Sequence, residues 1–277
     1  MEIEILEMEE MKGKFILKNS SPAMANALRR TMLSDIPKMA IDKVEFHLGP
    51  IMGDEKEYES VTPLFDEIVA HRLGMVPVPT DYELFTFQNE CVCGGEGCPS
   101  CMIMYSINKK GPCTVLSGDM MPLGNQELAV KDQFIPIAEL TDGQAVLIYA
   151  TAVMGVARNH AKWQAAFGVG YKYLPIVTVD EKKAGESYAL KCMNVCSRSV
   201  FEVKNGKLKV KNALNCAMCK ECEITSRGVV RVDADDTNFL FRYETDGSIT
   251  AKQALDKAME ILSKQSEEAF AHVGEDL

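Results

Sequence analysis

The chain has 277 residues, 47% of them hydrophobic and 25% charged, which suits two or three packed modules and excludes a disordered chain. Its 40 acidic against 30 basic residues leave a net charge of -10, a field that repels the phosphates of nucleic acid, so no direct nucleic-acid contact is expected. No apolar run of about 18 residues exists, and the acidic start, Met1 to Glu10, lacks the basic and apolar regions of a secretory signal; a cytoplasmic protein with no membrane partner is expected.

Residues 1–18 alternate as strands do, with Ile3, Ile5, Leu6, Phe15 and Leu17 among charged neighbours. Ser21 can cap, and Pro22 can open, a helix over residues 22–34 that Pro37 ends. Met24, Ala27, Leu28 and Thr31 share one face of it, while Arg29 and Arg30 point elsewhere. The small residues of that face let another helix approach closely. Ala40–Leu48 reads as a strand, Gly49–Glu59 as an acidic, glycine-bearing loop, and residues 63–73 as a helix with Leu64, Ile68 and Leu73 on one face.

Strand-like runs at Met102–Ile107, Phe134–Ile137 and Ala145–Val156 predict a mainly antiparallel β insert domain over residues 46–188. A compact cysteine-bearing module follows over residues 189–232. Phe239–Glu244 is then a strand, and Thr250 with Gln253 forms a capping box for a last helix striped by Leu255, Ala258, Met259, Leu262 and Ala269. The two chain ends, 1–45 and 233–277, each supply strands and one helix with a narrow apolar stripe. Neither can bury a core alone, so they are expected to form one domain. The fold class is α+β.

Ten cysteines in a reducing compartment favour metal ligation over disulfides. Cys216-x2-Cys219-x2-Cys222 is the tripod that wraps three corners of an iron-sulfur cubane, and Cys196 stands where two-cluster ferredoxins draw the fourth ligand. Between them, Phe201–Val210 reads as a hairpin turning at Asn205-Gly206. A second cluster would need thiolates at positions 186, 189, 192 and 226; these hold Glu186, Ala189, Cys192 and Ser226, so one cluster is predicted. It is a [4Fe-4S] or a [3Fe-4S] centre, the alternatives being buried thiols without a cluster or a zinc site. Cys91-x-Cys93-x4-Cys98-x2-Cys101, with Gly94, Gly95 and Gly97 for tight turns, suits one tetrahedral zinc, the alternative being a reduced, metal-free loop. Cys113 reads as a small buried apolar residue.

Other candidates carry less. Asp233-x-Asp235-Asp236 could hold magnesium, but in a turn before a strand Asp favours local backbone bonding. His47, His71, His160 and His272 are scattered with no nucleophile at a suggestive spacing, and no catalytic residue is expected. Trp163 beside Lys162 reads as a core or interface anchor. Gly168-Val169-Gly170 is too short for a nucleotide-binding motif.

The stretches NALRRTMLSDIP (26–37), EIVAHRLGMVP (67–77) and HAKWQ (160–164) resemble the signature segments of the alpha-like subunits of multisubunit RNA polymerases. These are bacterial alpha, the third-largest subunit of eukaryotic polymerase II and their counterpart in archaeal DNA-directed RNA polymerase; the cysteines resemble the archaeal branch. The resemblance implies a scaffold subunit whose two ends form a discontinuous dimerisation domain, a sheet plus two helices, interrupted by inserts. One insert would be a ferredoxin-like domain whose cluster is structural or redox-sensing. A zinc loop like that of the eukaryotic relative is implied for Cys91–Cys101. The implied partners are a small alpha-like subunit, a small zinc-bearing subunit and the two large catalytic subunits that hold the magnesium and DNA. Met24, Ala27, Leu28, Arg29, Arg30, Thr31, Leu255, Met259 and Leu262 would face them, with Arg72 making a further polar contact. A ferredoxin-type electron-transfer protein or oxidoreductase subunit is the second reading, but a lone cluster gives electrons no next centre. A zinc-bearing DNA-binding regulator is a third, and it fails on net charge.

Overall fold

The computed structural model describes residues 1–52 and 57–275, with side chains as far as Ala271. In chain order the elements are β1 (Glu2–Met8), β2 (Lys12–Lys18), α1 (Pro22–Ser34), β3 (Lys38–Phe46), β4 (Pro50–Met52), β5 (Glu57–Ser60) and α2 (Asp66–Gly74). Then come β6 (Met102–Lys110), β7 (Cys113–Leu116), β8 (Met121–Pro122), β9 (Pro136–Leu140), β10 (Gln144–Gly155) and β11 (Ala166–Val179). The chain closes with α3 (Ser187–Leu190), α4 (Cys192–Val195), β12 (Phe201–Lys204), β13 (Lys207–Val210), α5 (Glu221–Thr225), β14 (Val230–Thr245) and α6 (Ala251–Glu275). The class is α+β, and the pairings are mainly antiparallel.

Packing divides the chain into two compact units. One holds Met1–Glu7, Lys14–Ala27 and Gly170–Arg242; the other holds Met8–Gly13, Leu28–Val169 and the residues from Tyr243 onward. The frame of the first is a sheet of order β1-β2-β14-β11, which brings strands from both ends of the chain together. Phe15 and Phe241 stack at 4.8 Å, and Tyr171 meets Phe239 edge-on at 5.6 Å. The Ser20 N–H donates to the Thr237 carbonyl at 2.9 Å, tying the strand pair again beyond the sheet. The β12-β13 hairpin turns at Asn205 and Gly206, both at positive φ (52° and 73°), as a two-residue Asn-Gly turn requires.

The second unit is built on a sheet of order β4-β5-β10-β6-β8, with β3 also pairing β10. β10 runs antiparallel to β3 and β6, placing Ile148 opposite Phe46 and Ile107, and parallel to the short β5. Val69 and Leu73 of α2 are buried with Ile41, Ile103, Tyr105 and Ile148 in the core of this unit. Of the face foreseen over 63–73, Leu73 is buried as expected, but the helix starts only at Asp66, Leu64 packs on the core from ahead of it, and Val69 is buried where Ile68, now exposed, was expected. Tyr243 crosses Gly13 so closely that a Cβ there would lie 2.3 Å from the ring, and its hydroxyl donates to the Ala251 carbonyl at 2.7 Å. The start of α6 is held there by the predicted capping box: Thr250 N–H donates to Gln253 Oε1 at 2.9 Å, and Gln253 N–H to Thr250 Oγ1 at 3.2 Å.

Several expectations are corrected. The stretch Gly49–Glu59, foreseen as a loop, instead holds paired strands, β4 and β5, with Ile51 opposite Tyr58; residues 53–56 lie outside the described residues. The turn foreseen at Asp233–Asp236 is part of the 16-residue strand β14. Asp235 does bond locally, accepting from Thr237 N–H at 2.9 Å, so the side chain does what was expected while the backbone stays extended. Cys113 is half-buried, its thiol donating to the Lys110 carbonyl. Ala269 is exposed, so the buried part of the α6 stripe ends sooner than the pattern predicts.

Candidate metal centre

The sharpest constellation in the second unit is the loop between the 3-10 turn Gln88–Glu90 and β6. Cys91, Cys93, Cys98 and Cys101 place their sulfurs within 4.8 Å of one another, the one such His, Cys, Asp or Glu group among the described residues. The Sγ atoms of Cys91 and Cys98 lie 3.5 Å apart, those of Cys93 and Cys101 3.7 Å, and those of Cys98 and Cys101 3.9 Å. Four sulfurs at ~2.3 Å from one tetrahedral ion lie about 3.8 Å apart, so the donor set fits a single metal ion.

Backbone geometry explains why this sequence can make the knuckle. Gly94, Gly95 and Gly97 take φ of +68°, +90° and +97°, a region an L side chain rarely enters. The turns close through Gly94 N–H to the Cys91 carbonyl and Cys101 N–H to the Cys98 carbonyl. Backbone N–H groups of Gly97 and Gly95 bond to the Cys93 sulfur and bring its thiol down to about 6. Burial pushes the Cys101 thiol up to about 12. A cation at the centre compensates the buried negative charge that such thiolates would carry.

The second group lies in the first unit. Cys192, Cys216 and Cys222 are buried with Val200, Phe201, Leu208, Val230 and Val232, and Cys196 packs against them half-buried; Cys219 is exposed. Met218 and Lys220, one residue in each gap of the Cys216-x2-Cys219-x2-Cys222 run, hold positive φ (57° and 61°), so the loop doubles back in each gap. The Met218 N–H donates to Cys216 Sγ at 3.3 Å. Burial first, then the nearby sulfurs of Cys192, Cys216 and Cys219, pushes the Cys222 thiol up to about 11. Four of the five thiols thus share one apolar pocket, with one backbone donor on the Cys216 sulfur, but among the described residues they form no ligand set as compact as that of Cys91–Cys101. The positions counted for a second cluster are filled otherwise: Ala189, Cys192 and Ser226 are buried, and Ser226 Oγ accepts from Val230 N–H at 2.9 Å.

The helix faces divide by burial. Leu28 and Thr31 are 1% and 3% exposed and Leu255 4%, so these three lie inside the chain's own packing; Met24 is 40% exposed, while Ala27, Arg29, Met259 and Leu262 are half-buried and Arg30 exposed. The Arg72 guanidinium donates to the Ile137 carbonyl at 2.8 Å, holding α2 to β9 within the second unit. Trp163 donates from its indole to the Val153 carbonyl at 3.1 Å, with the Lys162 ammonium 4.3 Å above the ring. His160 Nδ1 accepts from Lys162 N–H, so the HAKWQ segment is locked on itself and reads as a structural corner. Among the described residues the four-sulfur loop is thus the sole compact ligand set, and the carboxylates of Asp233, Asp235 and Asp236 form no such group.

The model of the RNA polymerase Rpb3/Rpb11 dimerisation domain matches residues 14–266. The chain belongs to this family. Relatives named DNA-directed RNA polymerase subunit Rpo3 include those of Thermoplasma volcanium, 42% identical with 94% of each chain covered, and of Archaeoglobus fulgidus, 40% identical with 96% of each covered. The protein of that name from Picrophilus torridus is 39% identical over 95% of this chain and 96% of its own. Helix α1 lies within the matched span, and α6 enters it as far as residue 266. Among the described residues, no helix is long and apolar enough to cross a membrane.

What sequence reasoning missed is β11. Val169, Tyr171 and Tyr173 alternate as a strand should, but the glycines at 168 and 170 obscure the pattern. Its side chains reach the second cysteine group, and the alternation was the available signal.

Proposed function

We propose that the chain is a non-catalytic assembly subunit of an archaeal-type DNA-directed RNA polymerase, an α-like scaffold with no active site of its own. The observation that carries this reading is a dimerisation-domain match running from residue 14 to residue 266, across both chain ends. The partner is a small alpha-like subunit, and the pair then collects a small zinc-bearing subunit and the two large catalytic subunits. The exposed parts of the helix faces supply the contact: Met24 and Ala27 on α1, Met259 and Leu262 on α6, with Arg29 and Arg30 beside them. Phe270, 82% exposed near the end of α6, extends the apolar surface of that helix.

In functional terms the chain divides into a dimerisation domain (1–45 with 233–277), a β insert (46–188) and a ferredoxin-like module (189–232). Cys196, Cys216, Cys219 and Cys222 hold one [4Fe-4S] or [3Fe-4S] cluster, and Cys91, Cys93, Cys98 and Cys101 hold one zinc. A module of this size buries too little apolar surface to hold itself without a metal staple. The cluster supplies that staple, and the thiolates bind and orient it.

Two experiments test the reading. Tagged chain is expressed with the other polymerase subunits and its companions identified; a stable complex with the small alpha-like subunit and the large subunits is expected, and a lone monomer would end the proposal. Replacing Cys216 and Cys219 with serine lowers heterodimer yield; an unchanged yield removes the structural role of the cluster.

A further inference from the structure

Lys172 is a half-buried lysine on β11 whose ammonium leaves its own strand to reach the loop ahead of the cysteine tripod. It donates to the Leu214 carbonyl at 2.7 Å and to the Cys216 carbonyl at 2.6 Å. Those carbonyls belong to a stretch with little secondary structure: a 3-10 turn over Ala213–Asn215, then backbone at positive φ at Met218 and Lys220. Carbonyls in such a loop need a donor from elsewhere, and an ammonium with three protons supplies two of them at once.

The contact sets a positive charge at the backbone of the first tripod cysteine, where the negative charge of ligating thiolates would favour it.

We infer that Lys172 is the positioning residue of the cluster site: it pins the carbonyls of Leu214 and Cys216 to the sheet and so fixes the direction of the first tripod thiolate. Its own ammonium also places one positive charge beside Cys216, which favours the more negatively charged, reduced form of the cluster. This rests on the cluster reading of Cys196, Cys216, Cys219 and Cys222 given above. The inference adds a residue that carries no sulfur and stands at least 24 positions from any of those cysteines in sequence. Through it, the order of the tripod loop is tied to a strand of the sheet that joins the two chain ends.

The test uses the full-length chain reconstituted with ferrous iron and sulfide, in three forms: unaltered, Lys172→Met and Lys172→Arg. Methionine matches the stem of lysine but has neither charge nor donor. Arginine keeps the charge but presents a planar fork in place of a point donor. Iron content of the unaltered chain reads the cluster itself; if none is retained, the cluster reading and this inference fall together. If it is retained, Lys172→Met is expected to release iron to a chelator roughly 10–100-fold more readily, the usual cost of losing an outer-shell partner. Its reduction potential moves negative, and amide exchange over residues 214–219 of the iron-free chain speeds up. Lys172→Arg keeps the potential close to that of the unaltered chain while exchange over the same residues still rises. The two variants thereby separate the charge from the clamp, which a residue that merely supported the fold would not do. Should Lys172→Met fold poorly, Lys172→Arg alone decides the clamp. Iron retention, potential and exchange all unchanged in the variants would overturn the inference.

Discussion

A single buried cation in the second unit shows how much stability one residue can govern. Lys38 and Asp246 form an ion pair with side chains 3% and 10% exposed. Asp246 is satisfied further by Ser248, whose N–H donates to Oδ1 at 3.0 Å, and Lys38 also reaches the Gln164 carbonyl at 3.4 Å. Replacing Lys38 with methionine strands a buried carboxylate, which costs roughly 3–5 kcal/mol. Urea unfolding of the variant measures it, and a loss under about 1 kcal/mol would show that Asp246 finds water instead. Gly155 sits under Trp163, where a Cβ would lie 2.3 Å from the indole. Gly155→Ala therefore displaces the ring, with an expected cost of about 1–3 kcal/mol by the same measurement.

Nothing in the local sequence marks Lys38 as buried. It follows helix α1 at the start of β3, where a lysine reads as a surface residue. Its partner stands 208 positions away. Lys172 was hidden for the same reason: its value lies in two carbonyls that only the folded loop brings to it.

At the scale of elements the sequence was more explicit. The helix foreseen over residues 22–34 begins at Pro22 and ends at Ser34, because Ser21 accepts from Met24 N–H and Pro37 forbids continuation. The capping box of α6 is also as read. Thr250→Ala removes the Gln253 N–H partner, with an expected loss of about 1 kcal/mol in thermal unfolding. The cysteine knuckle was legible from its spacing and glycines. Gly97→Ala puts a Cβ 2.9 Å from Met102 Sδ at a φ of +97°, so metal retention by the loop, read by competition with a chromophoric chelator, is expected to fall. Retention equal to that of the unaltered chain would mean the knuckle tolerates a different backbone.

Strands were read less well where alternation was interrupted. β14 runs through Asp233–Asp236 because a long strand held in the sheet β1-β2-β14-β11 keeps extended a segment that would turn in isolation. Tertiary pairing there overrides a local turn preference.

For the whole molecule, the decisive question is which apolar surface is left for another chain. On α6, Ala251, Ala254, Leu255 and Ala258 are buried in this chain, while Met259 and Leu262 are half-buried and the residues 263–271 are exposed. A helix that long, polar and exposed over its last turns gains little from its own chain. Introducing charge at Met259 and Leu262, each changed to glutamate, is expected to abolish heterodimer formation in co-purification while leaving the thermal midpoint of the isolated chain within a few degrees. A heterodimer that survives both changes would move the interface elsewhere.

The sequence by itself determined the family, the two cysteine groups and the capped helices. Motif spacing, capping residues and net charge are properties of short windows or of the chain's sum, and they survive without coordinates. Only the tertiary structure decided which members of each helix face are consumed internally, which ion pair is buried, and which lysine reaches the tripod loop. Those are matters of how far apart in sequence two groups can be and still meet, and chain connectivity carries no local sign of it.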